Sequence, residues 1–230
     1  MQMYSSKIIA LLGLAAVAPS FSSASIVLTA SDDNYVYTGD KNTNYNSESA
    51  SITVKNASSN DRIAYVKFDL SSVISGVDTS QDAVLSMTFN QVTNAGSGDT
   101  AEFIFSALSN TGSPSNFAWQ ESTVTYNSRP TGTFTDLTPS YNWSYNASDV
   151  AHTITFSGLT NFIQADNTVT FRIFGPQLPD TGNNPSWHSS EATTVAYRPT
   201  LTLVAVPEPA TASILLGLAT LAIAGTKRRR

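Results

Sequence analysis

Residues 61–71, Asp-Arg-Ile-Ala-Tyr-Val-Lys-Phe-Asp-Leu-Ser, alternate with a period of two. One set, Ala64, Val66, Phe68 and Leu70, is wholly apolar, while the other, Ile63, Tyr65, Lys67 and Asp69, mixes an aromatic ring with charges. Such a pattern fits a strand with one face in a core and the other half open to water or to a ligand. Segments of the same kind recur at 25–30, 34–37, 51–55, 82–91, 101–108, 150–156, 168–174 and 200–204, with Ser, Asn, Gly and Asp clusters between them. Short strands spaced in this way predict an all-β fold, an antiparallel β-sandwich of jelly-roll type. Leu159, Phe162 and Ile163 fall three and four apart, which predicts one short helix within 159–165. No long helix is expected in this body.

The two ends follow a different logic. Lys7 precedes an apolar run over 8–18, and Ser22-Ser23-Ala24 supplies small residues for cleavage, so residues 1–24 read as a signal peptide. At the other end Pro207-Glu208-Pro209 is followed by an uncharged stretch over 211–226 and then by Lys227, Arg228, Arg229 and Arg230. The stretch has the length of a transmembrane hydrophobic helix, and terminal basic residues hold their side of such a span in the cytoplasm. This order of motif, span and Arg cluster resembles the PEP-CTERM sorting signal. The resemblance implies export in a Gram-negative, exopolysaccharide-producing bacterium, with transient anchoring in the inner membrane. An exosortase would then process the chain near Pro207, Glu208 and Pro209 and pass it to the outer surface or extracellular matrix. A permanent single-span anchor is the alternative that the residues themselves leave open.

Removing both ends leaves one domain, 25–205, long enough to bury a core. It carries seven basic residues against 16 acidic ones, a net charge near −9, whereas the whole chain stands at −5. Such a charge argues against nucleic acid as a partner. With no cysteine in the chain, disulfides cannot brace the fold.

Several separated strings in this domain carry a second resemblance. Asp32 and Asp33 open an early strand, Arg62-Ile-Ala-Tyr-Val-Lys-Phe-Asp-Leu-Ser71 follows, then Trp119-Gln-Glu-Ser-Thr-Val-Thr-Tyr-Asn-Ser-Arg-Pro130, Ser189-Ser-Glu191 and Tyr197-Arg-Pro-Thr-Leu201. Together they resemble the DNRLRE domain, which is grouped with carbohydrate-binding module family 96. Tyr126 stands where that family more often has a second tryptophan. The resemblance implies a jelly-roll module that binds polysaccharide, alginate in the members for which it is named, and has no catalysis of its own.

The residues can be weighed for that role. Arg62 and Lys67 are the cations of the 61–71 strand, and five positions apart they point to opposite faces. A guanidinium forks onto a uronate carboxylate, while an ammonium acts as a point charge. Tyr65, Trp119, Tyr126, Trp143 and Trp187 are the candidate rings for sugar faces, with Arg129 and His188 next to them in sequence. Each ring has a plainer alternative role in the core. Arg62 has one as a structural partner of Glu121 or Glu191, and Arg198 is read as structural too.

A polyuronate would be repelled at long range by a domain near −9, so a neutral or mixed exopolysaccharide is the expected ligand. No cofactor is expected. Calcium is the one metal that the oxygen donors around Asp32, Asp33 and Asp40 would suit, although no calcium-loop spacing is present. No nucleophile elbow or phosphate loop occurs; Glu121 and Glu191 are the pair of carboxylates that the fold would have to bring together for glycoside hydrolysis. The expectation is a non-catalytic polysaccharide-binding protein of the cell surface or biofilm matrix. A structural or adhesive matrix protein without specific glycan binding is the alternative.

Overall fold

The structure, a computed structural model, describes residues 24–45, 50–57, 60–92, 100–113, 117–137, 141–144, 150–175 and 185–207. The signal-peptide residues 1–23, Glu208, Pro209 and the hydrophobic stretch expected to cross a membrane lie outside them. Among the described residues no helix is long and apolar enough to cross a membrane.

Among the described residues twelve strands run in order: β1 Ser25–Thr29, β2 Asp32–Tyr37, β3 Ser51–Thr53, β4 Arg62–Asp69, β5 Ala83–Val92, β6 Thr100–Leu108, β7 Phe134–Asp136, β8 Tyr141–Ser144, β9 Val150–Phe156, β10 Thr168–Phe174, β11 Pro185–His188 and β12 Thr200–Val204. They form two antiparallel sheets. The first runs β1-β12-β5-β11-β3, with β9 also on β5; the second runs β2-β4-β10-β6-β7, with β8 also on β6. Phe89 of β5 pairs with Val150 of β9 and with Trp187 of β11, so β9 lies on the opposite edge of β5 from β11. From β1 to β6 each strand lies in the other sheet from the one before it, the crossing pattern of a jelly roll. The predicted all-β sandwich is what the chain adopts. Three further short strands, β7, β8 and β11, lie outside the segments picked out by the sequence pattern. The helix predicted in 159–165 is a single 3-10 turn, Leu159–Asn161.

Between the sheets, alternate residues of facing strands form one apolar core. Ala64, Val66, Phe68 and Leu70 enter it from β4 and its end, Phe103, Phe105 and Ala107 from β6, and Val169, Phe171 and Ile173 from β10. Leu85, Met87 and Phe89 meet them from β5, and Trp187 fills the middle. Its indole packs edge to face against Phe89, Phe103 and Phe105, with ring centroids 5.1, 5.2 and 5.8 Å away. Where β10 leaves the sheet, a side chain on Gly175 would meet the backbone of Val54 and Lys55 at 2.7–2.9 Å. That close approach of the two layers requires glycine.

The other face of β4 departs from expectation. Ile63, Tyr65 and Lys67 are as buried as the core face, and only Asp69 is exposed. The segment 117–130 folds over this side and builds a second, smaller core of Val36, Ile63, Tyr65, Trp119 and Val124. The alternation shows two kinds of face but cannot show that a distant loop roofs one of them.

Trp187 is the least replaceable side chain in this arrangement. Truncation to alanine is expected to cost about 3–5 kcal/mol of unfolding free energy in urea; a loss below about 1 kcal/mol would contradict the central role given to it.

Candidate functional site

Lys67 fixes the roof over β4. Its ammonium lies 2.9 Å from Asp32, its register partner on β2, and donates to the carbonyl of Trp119 at 2.6 Å. It also sits 4.9 Å from the centroid of the indole. Trp119 donates its indole N–H to the Thr170 hydroxyl on β10 at 3.1 Å. Asn44 reaches over from the 40–45 loop and donates to the carbonyls of Glu121 and Val124 at 2.7 and 2.8 Å. With the Lys67 ammonium and the Trp119 indole N–H both bonded and all three side chains buried, Tyr65, Lys67 and Trp119 do not form the open binding surface expected of them. Asp32 is likewise engaged by Lys67 rather than free for a metal.

Arg62, on the opposite parity as predicted, stacks on Tyr37 at 5.1 Å rather than pairing with Glu121 or Glu191. Arg198 is structural, donating through Nε to the carbonyl of Ala192. Trp143 lies on β8 opposite Ala101, and its side chain is outside the described residues.

The roof stops halfway across the sheet. Beyond it Thr170 of β10 and Ser106 of β6 are buried, but Arg172 and Phe174 of β10 and Phe134 of β7 are half-buried, and cations there lie on aromatic rings. Arg172 of β10 spans Phe134 at 4.4 Å and Phe174 at 5.0 Å, while Arg129 covers Tyr126 at 3.8 Å and also hydrogen-bonds the Tyr65 hydroxyl. Lys41 approaches the same Tyr126 ring at 5.7 Å. All five of these side chains from β7, β10 and the roof (Tyr126, Arg129, Phe134, Arg172, Phe174) are half-buried, and Ile104, Glu102 and Asp136 beside them are exposed. Burial pulls the Arg172 guanidinium below its usual pKa, and its Nε has no hydrogen-bond partner. Asp136, which accepts from Ser106 at 2.7 Å, also lines a groove of about 350 Å³ between β7 and β9. Phe156, Phe162 and Leu137 give that groove apolar walls, with Asp82 and Thr155 among its polar groups.

This strip holds two of the residues singled out in the sequence, Tyr126 and Arg129, and three that were not, Arg172, Phe134 and Phe174. Arg172 has a signal: it is the one charged residue, at an outward position, of an otherwise uncharged strand. The guanidinium groups lie over the rings; Arg129 also donates to the Tyr126 carbonyl and Arg172 to the Ser106 hydroxyl at 3.4 Å, which in turn donates to the exposed Asp136 carboxylate. Donors and acceptors side by side suit vicinal hydroxyls.

A second cluster is acidic. Asp33, Glu121 and Glu191 line a cavity of about 10 Å³ between the edge strands β2 and β3, together with Tyr35, Tyr45 and Ile52. The Asp33 carboxylate takes the Ser190 N–H at 2.6 Å on one oxygen, and Glu121 accepts the N–H of Asp33. Burial, with Glu191 adding to it, pushes Asp33 up to about 7; the same two causes raise Glu121 to about 7. Asp40, the third expected metal ligand, is elsewhere: it is exposed and accepts from the Thr43 hydroxyl and the Asn42 N–H.

Two expectations follow. Lys67→Ala strands Asp32 and the Trp119 carbonyl and should cost about 3–5 kcal/mol, whereas Arg62→Ala should cost under about 1 kcal/mol; equal losses in urea unfolding would contradict the seam. Asp33 and Glu121 bind protons more tightly folded than unfolded, so their ionisation opposes folding fully above pH about 7 and is relieved as pH falls toward the ordinary carboxylate range. Without divalent cations, the melting temperature should therefore rise between pH about 8 and about 5, less so in Asp33→Asn.

Comparison with known proteins bears on the body of the chain and on its C-terminal end. Carbohydrate-binding module family 96 matches residues 24–205, and the PEP-CTERM protein-sorting motif matches residues 205–230. No curated protein matches. Among solved structures, the CBM22-1 xylan-binding domain from Paenibacillus barcinonensis Xyn10C is similar at 7% identity and TM-score 0.35, covering 82% of this chain and 100% of that one. The infectious bursal disease virus Gt strain gives 10% identity and TM-score 0.25 over 86% of this chain and 42% of that one. The fold assignment rests on the two sheets rather than on these distant likenesses. The chain belongs to carbohydrate-binding module family 96, with a PEP-CTERM sorting motif at its C-terminal end.

Proposed function

We propose that this protein binds a neutral or mixed polysaccharide, without cleaving it, on the open half of the second sheet's outer face. The observation that carries this is the strip of Arg172 on Phe134 and Phe174 and of Arg129 on Tyr126, beside the roof and joined through Ser106 to Asp136, which also lines the groove between β7 and β9. A sugar chain laid across it finds guanidinium donors for hydroxyls, carboxylate acceptors at Asp136 and Glu102, and a groove large enough for a saccharide unit. The domain's charge near −9 keeps polyuronates away at long range. Glu121 and Glu191 do come together, but across a cavity the size of one water, which leaves no space for a glycosidic bond between them.

Placement at the cell surface or in the exopolysaccharide matrix, after processing by an exosortase, is supported by the sorting motif over 205–230. There the protein would hold polymer at the surface that made it.

Affinity electrophoresis and titration calorimetry against a neutral glucan, xylan and alginate test this. Arg172→Ala and Tyr126→Ala should each weaken binding to the preferred neutral polymer about tenfold or more, equivalent to about 1.4 kcal/mol, with melting temperature monitored for each variant. Arg62→Ala should leave binding unchanged, and added salt should barely alter it. Tight alginate binding at low salt, or binding indifferent to both strip variants, would overturn the proposal.

A further inference from the structure

The two sheets differ in charge. Among the described residues no strand of the first sheet contains Asp, Glu, Lys or Arg, whereas every strand of the second except β8 carries at least one. The register lays a rank of Val27, Thr202, Val84 and Thr155 across the first sheet's outer face, from β1 through β12 and β5 to β9. On a domain near −9, such a neutral region is where a like-charged neighbour meets least repulsion.

A strand that ends a sheet in water offers its outer backbone N–H and C=O groups as a template for another strand. Edges are ordinarily blunted by shortness, by charge or by cover. Most edges here are blunted. β3 and β7 are three residues long and β8 four. β2 carries Asp32 and Asp33, and β9 runs beside the groove that holds Asp82 and Asp136. β1 has none of these guards. It is five residues long and uncharged, pairs among the described residues with β12 alone, and holds Val27 in solvent at 60% exposure. Ile26 and Leu28 pack against the core from the other side of the strand, yet both are only half-buried.

We infer that β1 is a self-association edge, which pairs antiparallel with β1 of a second copy about a two-fold axis at Val27. That axis sets Val27 against Val27, Ile26 against Leu28 and Ser25 against Thr29. Residues that meet therefore share a face. Valine, serine and threonine continue the neutral outer surface, while Ile26 and Leu28 continue the core side and cover each other's open flanks. One patch serves both partners, as a two-fold contact requires, and the two first sheets join into a single uncharged sheet. A five-residue edge buries far less than the roughly 800 Å² per partner of a stable complex, so the association is weak and needs high local concentration. Since neutral strands join two domains of like charge, salt screens repulsion without breaking an ion pair, and the association tightens with salt.

The test follows the full-length chain in mild detergent by sedimentation velocity over a range of concentrations. A monomer–dimer equilibrium is expected, with a dissociation constant that falls as salt rises from about 0.05 to about 0.5 M. Val27→Lys sets two ammonium groups opposite each other and should raise that constant at least tenfold, while Val27→Thr should leave it within about threefold. Because the chain has no cysteine, Val27→Cys reports the contact directly: mild oxidation should give a disulfide-linked dimer. Thr155→Cys, exposed in the same rank but three strands away, should not cross-link. Melting temperatures check that each variant is folded. A chain that stays monomeric at every concentration, or equal cross-linking at both positions, would overturn the inference. So would a dimer indifferent to Val27→Lys, which would place the contact elsewhere, as in the 211–226 stretch. Protection of the 25–29 amides that appears only with a neutral polysaccharide or with lipid vesicles would put a different occupant on this edge and overturn it too.

Discussion

Lys67 is an ammonium withdrawn from water, and the layout of the second sheet depends on how it is satisfied. It stands on the strand face that a simple sandwich would leave to solvent. Two bonds, to Asp32 at 2.9 Å and to the Trp119 carbonyl at 2.6 Å, replace its hydration. Breaking a matched buried pair is expensive because the partner left behind remains buried. The ammonium therefore clamps the 117–130 segment onto β2 and β4 and confines exposure to β10, β6 and β7. The covered half becomes a second core, and the uncovered half becomes the surface on which Arg129, Tyr126 and Arg172 are displayed.

The same clamp organises charge. Five of the domain's seven basic residues lie against aromatic rings: Lys41, Arg62, Lys67, Arg129 and Arg172. Held in this way, guanidinium groups lose little further conformational freedom when they meet a ligand, which favours binding by a pre-formed face. Acidic residues gather instead at Asp33, Glu121 and Glu191, on the far side of the roof from the strip. A domain with few cations thus spends three of them, Lys41, Arg129 and Arg172, on one open region.

How much of this the sequence could show depends on the range over which each feature is determined. The alternation of Ala64, Val66, Phe68 and Leu70 is local, and it identified the core face of β4 correctly. The fate of Tyr65 and Lys67 was decided by Trp119, some fifty residues along the chain, and no periodicity within 61–71 carries that information. Tyr126 and Arg129 were recognisable because they lie three apart in one string. Arg172 is harder to recognise, because within β10 a single cation looks incidental. Asp33 was noticed and Glu121 was paired with Glu191, but only the folded chain shows that the three share a cavity while Asp32 and Asp40 do not.

The account stands most directly on where a bound sugar chain touches the protein. Backbone hydrogen exchange of the chain with and without a saturating neutral oligosaccharide maps that contact without altering any residue. Protection is predicted at 104–106, 126–129, 134–136 and 172–174, with 62–67 unchanged beneath the roof. Protection confined to the first sheet, or absent from 126–129 and 172–174, would contradict the assignment of the open half-face as the binding surface.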